Sequence, residues 1–278
     1  MRILFYLIFT VFPLTAISQR LHKIDTLERE EETIIHNEFR SFYKQKKIEE
    51  KYNNEIKKFP TEKVLDDTLK SLYDAIGLGN YNLDYKVFRH GMIGFFSLKQ
   101  AGRLNEKNLL SIIDFTKSSC EKRFYTIDLE NKNVLFHSLV SHGRNTGQDT
   151  ARSFSNDPNS YQSSLGFYVT GEEYVGSKGY SMRLDGTEAG INDNMRERSV
   201  VMHDAEYVSE EWVKNHGRLG RSQGCPALPK EISKKVIDTI KHRTAIFAYY
   251  NDDTYIKASN YLDLNQLVDQ LENPEDKL

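Results

Sequence analysis

The sequence predicts an α+β protein: a mainly-β domain built on a sandwich or barrel-like sheet, preceded by amphipathic helices. Three observations predict it. Apolar residues recur at helical spacing ahead of residue 108, and beyond it the period shortens to that of strands divided by Gly, Asn, Asp and Ser segments. A glycine-rich loop ending at Cys225 then interrupts the second half of the chain. The 278 residues are enough to bury a core without disulfide staples, and only two cysteines are present. A formal net charge of -2 supplies no global field for nucleic acid or an anionic membrane surface.

Taken in order, Met1-Arg2, an apolar run at 3–12 and the small residues Ala16-Ile17-Ser18 read as a secretory signal peptide over 1–18. The run is shorter than the ~20 residues a spanning helix needs, with an uncleaved anchor as the alternative. The expected product is exported, in the periplasm or associated with the cell envelope. Residues 19–60 are dense in Glu, Lys and Arg and read as a charged helical spacer. A helical subdomain follows over 61–108. Val64, Leu65, Leu69, Leu72, Tyr73 and Ile76 mark one helix, and Val87, Phe88, Met92, Phe95 and Phe96 a second, separated by Gly77-Leu78-Gly79-Asn80.

Over 109–252 the apolar runs at 109–115, 123–128 and 134–140 read as strands, the latter two joined in a hairpin around Asn131-Lys132-Asn133. Further strands are expected at 166–170, 181–184, 199–203 and 244–250. Short strands with turn signals between them suggest a sandwich or barrel-like sheet. Pro226, Pro229, Ile232, Val236, Ile237 and Ile240 predict a helix starting directly behind Cys225, whose dipole would favour thiolate over thiol. Residues 253–278 form a C-terminal segment with a frayed tail at 273–278.

The chemistry converges on Gly217-Arg218-Leu219-Gly220-Arg221-Ser222-Gln223-Gly224-Cys225. Glycines around Ser222, Gln223 and Gly224 let the backbone turn sharply and turn its N–H groups toward a ligand. A thiol with an ordinary pKa of ~8.5 needs a base before it serves as an acyl-transfer nucleophile. His203, ending the apolar run Val200-Val201-Met202, is the candidate base, and His216 in the Asn215-His216-Gly217 turn competes with it. His142, in Ser141-His142-Gly143-Arg144-Asn145, is a candidate lining residue of the cleft. A zinc site from His203, His216 and Cys225 lacks paired cysteines and a His-Glu-x-x-His helix, so no metal and no cofactor are expected. Cys120 reads as an idle thiol, with a Cys120–Cys225 disulfide as the lesser reading.

His203, eighteen further residues and Ser222-Gln223-Gly224-Cys225 resemble the signature of the YkuD-type L,D-transpeptidases, the murein L,D-transpeptidase catalytic domain branch in particular. Ser141-His142-Gly143-Arg144-Asn145, Phe154-Ser155-Asn156, Tyr161-Gln162-Ser163-Ser164-Leu165-Gly166, Arg183-Leu184-Asp185-Gly186 and Cys225-Pro226-Ala227-Leu228 extend the resemblance in order. It implies a Cys225 nucleophile, a His203 base and peptidoglycan stem peptides as partners. The product is a 3→3 crosslink if an amine attacks the thioester, or an L,D-carboxypeptidase product if water does.

Two departures from the family pattern leave roles open. Pro226-Ala227 stand where an aliphatic residue and an arginine are usual, so the substrate-carboxylate contact does not transfer to that position; Arg218 or Arg221 is the candidate replacement, with Arg144, His142, His216 and Asp204 as further candidate substrate-binding residues. Asp204-Ala205 stand where a small pair is usual, leaving the Asp204 side chain or a backbone carbonyl to orient His203. An inactive peptidoglycan-binding module and a structural role for the charged segment are the rival readings.

Overall fold

The computed structural model describes residues 59–267. The expected signal peptide, all of the charged spacer up to residue 58 and the tail 273–278 lie outside the described residues. The chain divides into two compact units. Within the described residues the first comprises α1 (Phe59–Ile76), Leu129–Lys132 and 264–267; the second runs Gly77–Asp128 and Asn133–Asp263.

In the first unit, α1 buries Leu65, Leu69, Leu72 and Ile76, spaced so that a 3.6-residue turn brings them to one side. Val64, which the sequence groups with them, is exposed. Lys70 and Asp74 pair at 2.5 Å one turn apart, an exposed contact worth a few tenths of a kcal/mol, about 0.2–0.5.

The second unit opens with a 3-10 turn at Leu78–Tyr81 and α2 (Tyr85–Gln100), whose first turn is capped by the Asp84 carboxylate accepting the Lys86 N–H. The sequence predicts an amphipathic helix here, and α2 is one. Val87, Phe88, Met92, Ile93, Phe95, Phe96 and Leu98 are buried on a wide apolar face, while Lys86, Arg89, His90, Ser97 and Gln100 recur at helical spacing as a narrower, more exposed polar stripe. The helix rests on β1 (Leu109–Asp114) and β8 (Ala245–Tyr249). A small residue at position 94 permits that approach, because a Cβ there would stand 1.9 Å from Phe167 Cζ. The Phe167 ring is in turn stacked on Phe247 at 4.3 Å.

The remaining strands are β2 (Phe124–Asp128), β3 (Asn133–Ser138), β4 (Gly166–Gly176), β5 (Gly179–Gly186), β6 (Val201–Asp204) and β7 (Ala227–Leu228). With β1 and β8 they make one mixed sheet in the order β3-β2-β1-β8-β4-β5-β6-β7. The pairs β1–β8 and β6–β7 are parallel and the others antiparallel. Every residue of β1 and β8 is buried, the pattern of strands covered on both faces. Beyond β3 the chain crosses to the opposite end of this order: Ser141 N–H donates to Ala227 C=O at 2.9 Å, and Gly143 forms a parallel bridge with Ser222. These bonds bring the two ends together, so the sheet is nearly closed and barrel-like.

Within the second unit three α-helices follow among the described residues. α3 (Glu210–His216) is capped by Ser209, α4 (Lys230–Ile240) buries Val236, Ile237 and Ile240 and lies against β5 and β6, and α5 (Asp253–Ala258) is capped by Asp252. α4 corrects the expectation of a helix directly behind the cysteine. Residues Ala227 and Leu228 form β7 instead, and the helix begins only after Pro229, which is extended at φ -57, ψ 139. A residue preceding proline is itself pushed toward extended backbone, so the prolines that suggest a first helical turn here hold a strand. The helix dipole, which fades beyond the first turn, does not reach the thiol.

Candidate active site

The loop that presents Cys225 is anchored before it turns. Leu219 is fully buried in a small core with Leu139, Ala205, Val208 and Ala227, against which Tyr207 and Val213 pack. Ser222 then pairs with the crossing segment: its N–H donates to His142 C=O at 3.0 Å and its C=O accepts Arg144 N–H at 2.8 Å. Ala227 rejoins the same segment, donating to Ser141 Oγ at 3.3 Å. Residues 223–226 lie between these two attachments.

Inside that turn two serine hydroxyls take up the polar groups of Gly224. Ser222 Oγ accepts Gly224 N–H at 3.0 Å and donates to Cys225 C=O at 2.6 Å. Ser163 Oγ accepts Gly143 N–H and donates to Gly224 C=O, each at 3.1 Å. Gly224 sits at φ +121, and a Cβ there would lie 2.8 Å from Gln162 C=O, so glycine is required on both counts. Among the described residues the N–H groups of Gln223 and Cys225 make no hydrogen bond, whereas that of Gly224, expected to face a ligand, is occupied by Ser222.

The Cys225 thiol is half-buried and free, as is Cys120, so the disulfide reading does not hold. Its Sγ accepts Val201 N–H at 3.4 Å and faces Ser199 C=O at 3.8 Å. Ser199 has a left-handed φ of 54, a departure of the kind that concentrates at functional sites. Burial pushes the thiol up, offset in part by the Val201 N–H and by the charges of Arg198 and Lys178.

His203 is 4% exposed on β6. In the parallel register it stands opposite Ala227, two residues beyond Cys225, while Val201, which bonds the thiol, is two residues before it on the same strand. Side chains two apart on a strand share a face. Its Nδ1 lies 2.7 Å from Asp204 C=O. A carbonyl only accepts, so Nδ1 carries the proton and Nε2 is left with its lone pair, the tautomer a general base needs. The backbone of Asp204, rather than its carboxylate, therefore orients the ring. Burial lowers the imidazole's pKa, the Asp204 carbonyl raises it and Lys178 lowers it further.

The structure does not bring the other histidines to this place. His142 is wholly buried and does not line a cleft. Its Nδ1 accepts from the Arg123 guanidinium at 2.7 Å, and Phe115 meets the ring edge-on at 6.5 Å. Burial and Arg123 hold it neutral, its pKa down to about 4. Arg123, also fully buried, is tied to the carbonyls of Val140 and Lys117 and keeps its charge with a pKa near about 10. His216, read as a turn residue, ends α3; it is exposed, stacked on Trp212 at 4.1 Å, and its ring Nδ1 lies 3.0 Å from Trp212 C=O.

Among the arginines, Arg221 donates to the carbonyls of Arg144 and Gly147, both at 2.9 Å, and Arg218 to Leu219 C=O at 2.7 Å. They brace loops. Arg144 lies over the Tyr161 ring, 3.9 Å from its centroid. Cys120 faces Asp149 and Gly217 C=O, each at 3.4 Å. Arg198, which the sequence reading passes over, lies beside the nucleophile loop: its Nη2 is 3.5 Å from where a Cβ of Gly224 would stand. It follows the 3-10 turn at Asp193–Met195, with no patterned run or glycine signature to mark it.

A nearly closed eight-stranded sheet that carries a turned Ser-x-Gly-Cys loop beside a strand histidine defines the class of fold. The L,D-transpeptidase catalytic domain model matches residues 79–249, more than half of the chain, and the protein belongs to that family. No curated protein matches the chain in sequence. Among solved structures it is similar to an L,D-transpeptidase from Mycobacterium smegmatis (13% identity, TM-score 0.33, 51% of this chain and 58% of that one). It is similar also to Mycobacterium tuberculosis L,D-transpeptidase 1 (15%, 0.29, 51% and 61%). A third is the helical cell shape determining protein Pgp2 from Campylobacter jejuni (13%, 0.37, 60% and 57%). The chain thus spans less than two thirds of the length of each. Among the described residues no helix is long and apolar enough to cross a membrane.

Proposed function

We propose that the protein is an exported cysteine L,D-transpeptidase that acts on peptidoglycan stem peptides through a thioester. The observation that carries the reading is the loop itself: Cys225 stands in a turn whose neighbouring polar groups are already satisfied, leaving the N–H groups of Cys225 and Gln223 without partners. Two unpaired N–H groups beside a nucleophile suit an oxyanion, for which a single lost donor costs about 10²–10³ in rate.

Cys225 Sγ attacks the amide carbonyl that joins the third stem residue to the terminal D-alanine. Its proton passes to His203 Nε2, which the Asp204 carbonyl leaves free to receive it. Collapse of the tetrahedral adduct breaks the C–N bond, His203 hands the proton to the leaving amine, and the acyl group remains on sulfur. An amine of another stem then restores an amide and releases the thiol, giving a 3→3 crosslink. Water in its place gives an L,D-carboxypeptidase.

Incubation of the purified protein with disaccharide-tetrapeptide, followed by mass spectrometry, tests the reading. Dimer with loss of D-alanine supports the transpeptidase and tripeptide the carboxypeptidase. Unchanged substrate, with no acyl adduct on Cys225, would leave only a binding module. Cys225→Ala is expected to abolish the adduct and every product while the circular dichroism spectrum stays that of the parent.

A further inference from the structure

We propose that Arg198 is the counter-ion of the Cys225 thiolate, held ready by a cradle of neutral oxygens; the inference rests on the nucleophile assigned above. Its guanidinium makes four hydrogen bonds. Nη1 donates to Ser155 C=O at 2.8 Å and Ser164 Oγ at 2.7 Å; Nη2 donates to Ser160 Oγ at 3.2 Å and Gln162 C=O at 2.6 Å. None of these acceptors carries a charge, and among the described residues Arg198 forms no ion pair. By contrast Arg196, two residues earlier, is bonded to the carboxylates of Asp185 and Glu172. The Tyr168 phenol and the Asp157 carboxylate also act on Arg198 through space, but neither is hydrogen-bonded to it, so the half-buried guanidinium is fixed by neutral acceptors and keeps much of its field for an anion that forms nearby.

The anion that forms nearby is the thiolate. Gln162 C=O, which Arg198 binds, is also the atom closest to a Cβ built on Gly224, so the guanidinium sits against the residue preceding the nucleophile. Each charge is felt by the other: the cation favours the ionised thiol, and the thiolate favours the protonated arginine. Lys178 acts on the thiol in the same sense, from the exposed tip between β4 and β5. His203 on β6 and the Tyr207 phenol behind the loop complete the titratable groups around it, the phenol itself pushed up to about 12 by burial and by the thiolate. Lys178 is an exposed side chain on a flexible stem; Arg198 is immobilised by four bonds. The fixed cation is the one whose field needs no rearrangement when the thiolate appears.

The experiment is the pH dependence of Cys225 alkylation by iodoacetamide in the full-length protein, on a Cys120→Ala background. Arg198→Gln is expected to raise the midpoint of the profile by about one pH unit, equivalent to a tenfold smaller thiolate fraction at neutral pH. Arg198→Lys is expected to recover part of the shift, and Arg196→Gln to leave it unchanged. An Arg198→Gln protein with the parent melting temperature and an unmoved midpoint would overturn the proposal. If Arg198→Gln does not fold, Ser164→Ala with Ser160→Ala loosens the cradle while keeping the charge, and a sharpened salt dependence of the midpoint is then expected. No change in that dependence would also count against the proposal. A parent Cys225 that forms no acyl adduct overturns the nucleophile itself, a result distinct from a nucleophile that ignores Arg198.

Discussion

Ser222→Ala tests whether the cysteine loop is organised by its own hydroxyl. The Ser222 Oγ accepts the Gly224 N–H at 3.0 Å and donates to the Cys225 carbonyl at 2.6 Å, while Ser222 itself is 7% exposed. Removing the hydroxyl leaves a donor and an acceptor without partners in a place water reaches poorly. Each orphaned group costs roughly 1–3 kcal/mol when desolvated, so about 2–6 kcal/mol is expected for the two if the loop stays in place. Relaxation offers a cheaper route: Ser163 still holds the Gly224 carbonyl, so the turn pivots there and the Gly224 N–H swings toward solvent. Either way the peptide that bears the Cys225 N–H is left with the Ser163 bond alone to fix it, since both flanking peptides have lost their tie to Ser222. Thermal melts with amide exchange at Gly224 separate the two routes, and single-turnover acylation reads the consequence. We expect acylation to fall by about 10²-fold, in the range that losing one oxyanion donor produces. Ser222→Thr, which keeps an oxygen, is expected to restore most of it. Parent-like acylation and parent-like Gly224 exchange in Ser222→Ala would show that the loop is held by its flanking attachments alone.

Two further predictions concern the scaffold. Gly94→Ala places a methyl 1.9 Å from Phe167 Cζ, and since that ring is stacked on Phe247 it cannot swing away freely; overpacking of this kind costs about 1–3 kcal/mol, measurable by urea titration. His142 titrates near about 4 in the folded protein, against the ordinary value of 6.5. The unfolded chain therefore binds its proton first, and stability is lost as pH falls from about 6.5 toward 4. His142→Asn, which still offers Arg123 an acceptor, is expected to flatten the melting temperature over that window, and an unchanged slope would show that other groups govern it.

How much of this was legible in the sequence follows from the length and pattern of each element. β1, β2, β3 and β8 are short apolar runs with turn residues at their ends, and they appear within a residue or two of the expected places. β4 is more than twice as long as expected because the register shifts between Thr170 and Glu173, and the polar Gly171-Glu172-Glu173 that accompanies the shift hides the strand's continuation. The two-residue β7 is too short to carry a period at all, and its prolines imitate a helix start. α3 escaped because it buries none of its residues, leaving no apolar stripe to read. Cys225 and His203 could be nominated from residue type and spacing, and the pairing of β6 with β7 brings their segments together. Arg198 could not be, since its place beside the loop depends on the 155–164 segment that binds its guanidinium.

The electrostatics of the pair also change what a reactivity assay can decide. In an ion-pair thiol site the imidazole is raised and the thiol lowered, so that the thiolate persists at rest. Here burial moves both groups the other way: the Cys225 thiol up and the His203 imidazole down. Both shifts favour the neutral thiol and neutral imidazole. Among the described residues no carboxylate hydrogen-bonds the imidazole, and the Asp204 carbonyl orients it. On the proposed mechanism the proton then rests on sulfur and the thiol ionises as the reaction proceeds, the step at which the proposed Arg198 charge would act. Slow labelling of Cys225 by a generic reagent is then what an active enzyme of this design would show, and does not by itself mark an inactive one. Discrimination falls to the acyl adduct, whose formation draws on the Cys225 and Gln223 N–H groups that simple alkylation leaves unused.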